Sequence, residues 1–334
     1  MPPGASGAPG DERVHRGRGA VGSYLGDLLR GAGAEVTFAP RQPEDVTQVD
    51  ADVAIVAVKA YDTDGAIETL RKAIRDPLNC VFVCPQNGVG NEEKLAQAFG
   101  IDRVVAAALT VPVDRDRNGK SHAQQDGGLA FAPMGNAAFN WLWATFQSTG
   151  LSIKVVDDWR ALKWSKLSLN VVANASCAIL NVLPNRLVHY EHVFTLEIRA
   201  IREVRHVMQK MGIASIDLPR YPVRVLQAIA TLPSPLARAL ISSRVAGARG
   251  RKPPSLLLDL RANKALTEVD VLNGAVARAG RECGVSTPVN TVFCRVLSDI
   301  AHMPQLWAKY REHPEALEAE VQAEVKRVRA LEQA

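Results

Sequence analysis

Apolar residues form short runs along the first half of the chain and recur at helical spacing along the second half. The clearest run, Val53–Val58, contains only branched and small apolar residues, and it predicts a strand buried on both faces of a parallel sheet. Further strands are predicted at residues 34–38, 80–84, 104–113 and 129–133. Helical patterns separate several of these strands, so the sequence predicts an α/β domain that ends near residue 155.

Helices dominate the sequence after residue 155. Asp157 and Asp158 precede a run without Pro or Gly, so one helix is expected to continue as far as Ala175. Later helical patterns cover residues 194–211, a proline-interrupted stretch at 221–248, an apolar-rich stretch at 267–283 and a charged tail at 314–334. The second domain is therefore predicted to be all-α.

Three polar residues, Lys166, Asn170 and Asn174, recur at every fourth position of the predicted 157–175 helix. This spacing places them on one face, between apolar residues that belong to a core. An unpaired buried carboxamide costs about 1–3 kcal/mol, and an ammonium costs more, so partners are required. The stripe indicates a functional site. The alternative is that the asparagines cap neighbouring loops and the lysine extends to water.

A glycine-rich segment near the start predicts a dinucleotide site. Gly17-Arg18-Gly19-Ala20-Val21-Gly22 matches GxGxxG and leads into a helix and then a strand. Its glycines allow a tight turn and let a pyrophosphate approach the helix N-terminus, so Gly17, Gly19, Ala20, Val21 and Gly22 are candidate cofactor-binding residues.

The position after the second predicted strand bears on the choice of nucleotide. Ala39-Pro40-Arg41 stands where an acid would hold an adenosine ribose 2′-hydroxyl. Arg41 can pair with a 2′-phosphate instead, which favours NADP over NAD. The alternative is that Arg41 is a solvated loop cation.

Two features indicate that the nucleotide fold is abbreviated. The segment before the fingerprint, residues 11–16, contributes only Val14 as a branched apolar residue, which predicts a poor central strand. The polar stretch at residues 42–51 is also short for a crossover between parallel strands. Both features lie at the edge of the sheet that is expected to hold the adenosine.

Lys59 and Asn87 follow directly after predicted strands. Ligands of open parallel sheets bind beyond the carboxyl ends of the strands, so both residues are site candidates. Asn87 also precedes Gly88, where an ordinary turn would explain it equally well. Glu268 lies in an apolar-rich helical pattern, either as a structural charge or as a partner for the lysine stripe.

Bulk properties exclude several classes of function. The net charge of +5 permits an anionic ligand, but aromatic content is only 5% and no basic stripe with aromatics is present, so nucleic-acid binding is not expected. The five cysteines show neither zinc-ligand spacing nor a disulfide framework, so no metal is predicted. No apolar run is long enough to span a bilayer, and residues 1–10 lack the apolar core of a secretory signal. A cytoplasmic protein is expected.

The order and spacing of these motifs resemble the ketopantoate reductase (2-dehydropantoate 2-reductase) family, a two-domain relative of the 6-phosphogluconate dehydrogenase group. The resemblance extends from residue 17 to near residue 300. It is carried by segments 17–22, 58–63, 86–90 and 164–167, by Asn170 and Asn174, by Ser255 and Asp259, and by segments 267–274 and 284–290.

This resemblance implies a Rossmann-like NADP-binding domain followed by an all-α domain of the 6-phosphogluconate dehydrogenase type. The implied domains are residues 17–155 and 156–334, with residues 1–16 a disordered tail or degenerate first strand. The implied reaction is NADPH-dependent reduction of ketopantoate to pantoate, a step of pantothenate and coenzyme A biosynthesis. The expected partner is thus a small 2-keto acid, and a homodimer is the candidate assembly.

The resemblance also implies roles for individual residues. Lys166 would be the general acid, and Glu268 would hold the hydroxyl side of the substrate and contact the cofactor. Substrate polar groups would be positioned by Asn170, Asn174 and Ser255. Asn87 would lie where nicotinamide and substrate meet, with Lys59 near the cofactor.

The chain departs from the family pattern at its first strand, in the short segment after Arg41, and by one extra residue between Asp259 and Glu268. One extra residue within a helix would rotate Glu268 by about 100°, whereas a turn at Asn263-Lys264 would absorb it. Two other functions therefore stay open: a reductase of a different 2-keto acid, and a catalytically silent family member with weakened nucleotide binding.

Overall fold

The computed structural model describes residues 12–16, 19–40, 46–116, 120–123, 127–137, 139–248 and 252–333. By its internal contacts the chain divides into two compact units. Unit 1 comprises Met1–Gln86, Asn91–Leu162 and Leu218–Arg220, and unit 2 comprises Asn87–Gly90, Lys163–Asp217 and Tyr221–Ala334.

Unit 1 is organised around a seven-stranded sheet with the order β2-β1-β3-β4-β5-β8-β9. Its strands are β1 (Glu12–Arg16), β2 (Glu35–Ala39), β3 (Val53–Val56), β4 (Val81–Cys84), β5 (Val104–Leu109), β8 (Gly128–Pro133) and β9 (Ser152–Val155). Strands β1 to β5 are all parallel to one another, β8 is antiparallel to β5, and β9 is parallel to β8. Two short strands, β6 (Val113–Arg115) and β7 (Ser121–Ala123), pair separately.

Helices cover both faces of this sheet. They are α1 (Ala20–Gly31), α2 (Thr63–Ala73), α3 (Asn91–Phe99) and α4 (Asn140–Gln147). Successive β3 residues enter opposite cores: Val53 and Ile55 pack with Leu25 of α1, and Ala54 packs with Leu70 of α2. All four β3 residues are buried because both faces are covered, as the uninterrupted apolar run predicted. The predicted fold class is confirmed.

The first strand forms despite its polar sequence. The backbone of β1 pairs in parallel with β2 on one side and with β3 on the other. Between β2 and β3, Val49 forms an isolated parallel β-bridge with Ile74. Within the described residues, β2 is the last strand at this edge of the sheet, with only β1 between it and β3. The abbreviated edge that the sequence indicated is therefore present among these residues.

Unit 2 is helical and also includes the short loop Asn87–Gly90. Its helices are α5 (Trp159–Asn170, which begins in unit 1), α6 (Ala175–Leu180), α7 (Pro184–Leu187), α8 (Glu191–Lys210), α9 (Val223–Thr231), α10 (Ser234–Ala248), α11 (Ser255–Arg261), α12 (Asn273–Cys283), α13 (Pro288–His302) and α14 (Pro314–Glu332). The predicted proline interruption separates α9 from α10, and the charged tail forms α14. No helix within the described ranges is long and apolar enough to cross a bilayer.

Candidate active site

Helix α5 carries two of the predicted site residues, Lys166 and Asn170, one turn apart. Asp158 precedes the helix, and its Oδ1 accepts hydrogen bonds from the backbone N–H groups of Arg160 (2.8 Å) and Ala161 (3.1 Å). This is an ordinary N-cap, as the acidic pair predicted. Lys166 and Asn170 are both half-buried, between fully buried apolar neighbours.

The prediction of one helix through Ala175 is wrong. Helix α5 ends at Asn170, residues 171–174 form a turn, and α6 starts at Ala175. Ala173 has a φ of 50°, and its N–H donates to the carboxylate of Glu197, which is only 1% exposed. A left-handed alanine costs roughly 1–2 kcal/mol, which the hydrogen bond to a buried carboxylate helps to offset. Asn174 therefore does not continue the helical stripe.

Asn87 and Asn170 are brought together. Asn170 Nδ2 donates to Asn87 Oδ1 at 3.2 Å. Asn87 opens the loop Asn87–Gly90, whose Val89 N–H donates to Val271 O at 3.2 Å. A Cβ on Gly88, which has a φ of +83°, would lie 2.5 Å from the same carbonyl oxygen. Asn87 is thus more than a turn residue, because its loop packs against the segment that contains Glu268.

Glu268 lies in a short 3₁₀ turn, Glu268–Val271, and not in a continuous α-helix. Thr267 caps the turn by accepting the Val269 N–H at 3.4 Å, and Glu268 is buried, with 4% of its surface exposed. The extra residue of this region falls in a turn, since α11 ends at Arg261 and Asn263 has a φ of 51°. It therefore imposes no helical rotation on Glu268.

Asn174 and Ser255 are also close, through backbone capping. Asn174 Oδ1 accepts the N–H of Leu256 at 3.3 Å, in the first turn of α11. Ser255 is the first residue of that helix and is half-buried. For Asn174 the structure supports the capping interpretation, although its Nδ2 group is not engaged by that bond.

The fingerprint residues belong to unit 1. Gly19 is the N-cap of α1; the helix has no side-chain cap and no acidic residue in its first turn. A Cβ on Gly19 would meet nothing within 4 Å, whereas one on Gly26 would approach Phe38 to 2.9 Å. Gly22 is buried, Ala20 and Val21 are half-buried, and Lys59, three residues after the end of β3, is half-buried. Gly17 and Arg41 lie outside the described residues.

Several buried polar side chains of unit 2 were not identified by the sequence analysis. Lys163 is 1% exposed. Glu203 accepts the N–H groups of Val289 and Asn290, both at 2.9 Å, at the start of α13. Burial raises the pKa of the Glu203 carboxyl to about 7, against the opposing effect of these hydrogen bonds. Its place in the sequence could have indicated that Glu203 is buried, because it lies on the apolar face of α8, beside Ala200 and Val204.

Two family models match this chain. "Ketopantoate reductase PanE/ApbA" matches residues 39–136, and "Ketopantoate reductase PanE/ApbA C terminal" matches residues 158–301. Among curated proteins, the 2-dehydropantoate 2-reductase of Pyrobaculum aerophilum is 29% identical over 292 residues, which cover 82% of this chain and 92% of that protein.

Solved structures agree with this likeness. A PanE/ApbA family ketopantoate reductase from Ralstonia eutropha is 26% identical, with a TM-score of 0.71 over 88% of this chain and 99% of that one. D-mandelate dehydrogenase with NADH and anilino(oxo)acetate shares the fold, at 20% identity and a TM-score of 0.73 over 88% of this chain and 99% of that one. Both family models describe ketopantoate reductases, and together they span most of both units. The chain belongs to the ketopantoate reductase family.

Proposed function

We propose that the protein reduces 2-dehydropantoate to pantoate with NADPH, using Lys166 as general acid and Glu268 as the partner of the substrate hydroxyl. The observation that carries this proposal is the contact between Asn170 and Asn87, one helical turn from Lys166. It joins two carboxamides, one of them on the helix that carries Lys166 and the other in a loop that packs on the turn containing Glu268. Membership of the family supplies the reaction class.

The proposed chemistry follows from the charge that develops during reduction. When bound, a reduced nicotinamide supplies hydride to the carbon of the substrate ketone. The ketone oxygen then gains negative charge, which the Lys166 ammonium stabilises before its Nζ donates a proton to that oxygen. Asn170 and Asn87 can donate or accept hydrogen bonds, so they suit the polar groups of a 2-keto acid. Asn174 and Ser255 are proposed to hold the same substrate from the start of α11.

The buried side chain of Glu268 also supports the proposal. A buried carboxylate accepts hydrogen bonds strongly, so it can fix the substrate hydroxyl and orient the molecule. Glu268 would therefore contribute to substrate binding and orientation.

The residues at the start of α1 fit a dinucleotide. The helix begins without a side-chain cap, and no carboxylate lies in its first turn, so its N–H groups are suited to a pyrophosphate. A Cβ on Gly19 would point into open space, which allows close approach of a ligand. Gly17, Gly19, Ala20, Val21 and Gly22 would hold the pyrophosphate, with Lys59 and Asn87 toward the nicotinamide. Arg41 is proposed to select the 2′-phosphate of NADP.

The substrate acyl group is the less constrained part of the proposal. D-mandelate dehydrogenase shares this fold, and a shared fold leaves both the side chain of the 2-keto acid and the choice of nicotinamide open. The homodimer and the cytoplasmic location stay predictions.

The test is oxidation of NADPH by the purified protein with ketopantoate, with NADH and a panel of other 2-keto acids measured in parallel. Turnover with NADPH and ketopantoate supports the proposal, and Lys166→Ala should abolish most of it. Faster turnover with another 2-keto acid would reassign the substrate. Absence of turnover, with no NADPH binding by fluorescence, would overturn the proposal and favour a catalytically silent protein.

A further inference from the structure

A chain of buried side chains connects α8, α13 and α12 within unit 2. Glu203 Oε2 accepts Asn290 Nδ2 at 2.8 Å, and the same Nδ2 donates to Ala200 O at 3.2 Å. Asn290 Oδ1 in turn accepts Asn273 Nδ2 at 2.9 Å. Asn273 and Asn290 are 0% exposed, and Glu203 is 7% exposed. In a dry interior such a network fixes side-chain positions tightly.

Asn273 is the first residue of α12, and only Leu272 separates it from the turn Glu268–Val271. The Leu272 N–H donates to the carbonyl oxygens of Glu268 and Val269, both at 3.2 Å. Leu272 itself has a φ of −100° and a ψ of −100°, which lies outside the regular helical and strand regions. The backbone changes direction here, so an anchor immediately after Leu272 determines where the turn lies.

The opposite end of the turn has a weaker attachment, the 3.4 Å bond from Val269 N to Thr267 Oγ1. Along its side, Arg278 donates to Asp270 O at 2.8 Å, and the Val89 N–H, from the loop that presents Asn87, donates to Val271 O. Movement of this turn would therefore displace Glu268 and the contact that supports Asn87 together.

The buried side chain of Asn273 has one unfavourable feature. Its Oδ1 is buried and accepts no hydrogen bond from any described residue. A buried acceptor of this kind costs about 1–3 kcal/mol. The polar contact of this side chain is therefore the hydrogen bond that its Nδ2 donates to Asn290 Oδ1.

We propose that Asn273 is a positioning residue that fixes the Glu268 turn through its bond to Asn290, which Glu203 holds in place. This inference rests on the proposed function for its catalytic consequence, but its structural part does not depend on it. Asn273 contacts neither substrate nor cofactor in this proposal, and it acts through Glu268 and through the loop Asn87–Gly90.

The test uses the full-length protein with Asn273→Ala and Asn273→Leu. Leucine has nearly the shape of asparagine, introduces no buried charge and is a good helix former, so the second variant should fold even if the first does not. Both variants remove the donor to Asn290 Oδ1. Hydrogen exchange of the Leu272 and Val89 amides should accelerate about 10-fold or more, since both amides report on the turn.

Gln227→Leu is the matched control. Gln227 is a buried amide whose hydrogen bonds join it to Ser168 Oγ at 2.8 Å, to Ser215 and to Met208, none of which belongs to the turn. Its loss should lower the melting temperature while leaving exchange of the Leu272 and Val89 amides unchanged. Equal exchange in the Asn273 variants and the wild-type protein would overturn the proposal.

Kinetics provide the second readout. Asn273→Leu should lower kcat/KM about 10-fold, because small displacements of a catalytic group are costly. In a Glu268→Gln background the same substitution should have a smaller effect, since the displaced carboxylate is already replaced and only the action through the loop Asn87–Gly90 remains. Multiplying effects would contradict action through Glu268. If the wild-type protein shows no turnover, the proposed function fails, and the exchange measurement still decides whether Asn273 fixes the turn.

Discussion

Asn170 and Asn87 lie 83 positions apart in the chain, yet the amide nitrogen of one donates to the amide oxygen of the other at 3.2 Å. Each side chain orients the other, because the bond joins the amide nitrogen of Asn170 to the amide oxygen of Asn87. Asn170→Ala and Asn87→Ala should each lower kcat/KM about 10-fold. The double variant should lose less than the product of the two, which a double-mutant cycle would measure. Strict multiplication would show that the two amides act independently.

Replacement of Lys166 should affect the chemical step more than binding. Lys166→Ala is expected to lower kcat about 10²–10⁴-fold, the usual contribution of a general acid, while the dissociation constant of NADPH changes little. Steady-state kinetics and a fluorescence titration would separate these effects. Lys210→Ala, at an exposed lysine in the last turn of α8, is the control for loss of one positive charge. Full turnover by Lys166→Ala would refute the assigned role.

The two glycines of the loop Asn87–Gly90 should respond differently to alanine. Both have positive φ, +83° at Gly88 and +102° at Gly90, so each substitution carries backbone strain of roughly 1–2 kcal/mol. Only at Gly88 would the new Cβ also collide with Val271 O, whereas at Gly90 it meets nothing within 4 Å. Gly88→Ala should therefore reduce kcat/KM much more than Gly90→Ala. Similar losses in both variants would mean that strain alone, and not packing on the turn, is responsible.

Glu203 should make the protein less stable as pH rises. Its pKa in the folded state is about 7, above the ordinary value of 4.5, so the folded state binds more protons between these values. The carboxyl contribution is fully present below about pH 4.5 and is lost as pH rises through about 7, by up to about 3 kcal/mol. Urea unfolding of the wild-type protein and Glu203→Gln from pH 5 to pH 8 would measure it. The variant is less stable overall but should lack this part of the slope; identical slopes would contradict the prediction.

The parallel sheet could be predicted because its signal is local. Val53–Val56 is apolar at every position, and a strand covered on both faces needs that composition. β1 forms with only Val14 as a branched apolar residue, because backbone pairing with two neighbouring strands does not depend on an apolar sequence. Side-chain patterns report burial and carry no information about such pairing.

The site was only partly predictable for a related reason. Lys166 and Asn170 share a helix face that spacing alone reveals. After the break at Asn170, the Ala173 N–H donates to Glu197 on another helix, and a run without Pro or Gly carried no sign of this. The bond from Asn170 to Asn87 and the network around Asn290 likewise join distant segments. Only the folded chain brings these partners together.

The break between α5 and α6 has a consequence for evolution of the site. Asn170 and Asn174 look equivalent in the sequence, but they face different selection. Position 170 requires a donor for Asn87 Oδ1, so an isosteric acid would fail there. Position 174 needs an acceptor for the Leu256 N–H, which Asp, Ser or Thr also provides. A library selected for stable folding should recover a broad set of capping residues at position 174, whereas one selected for turnover should recover amides at both positions.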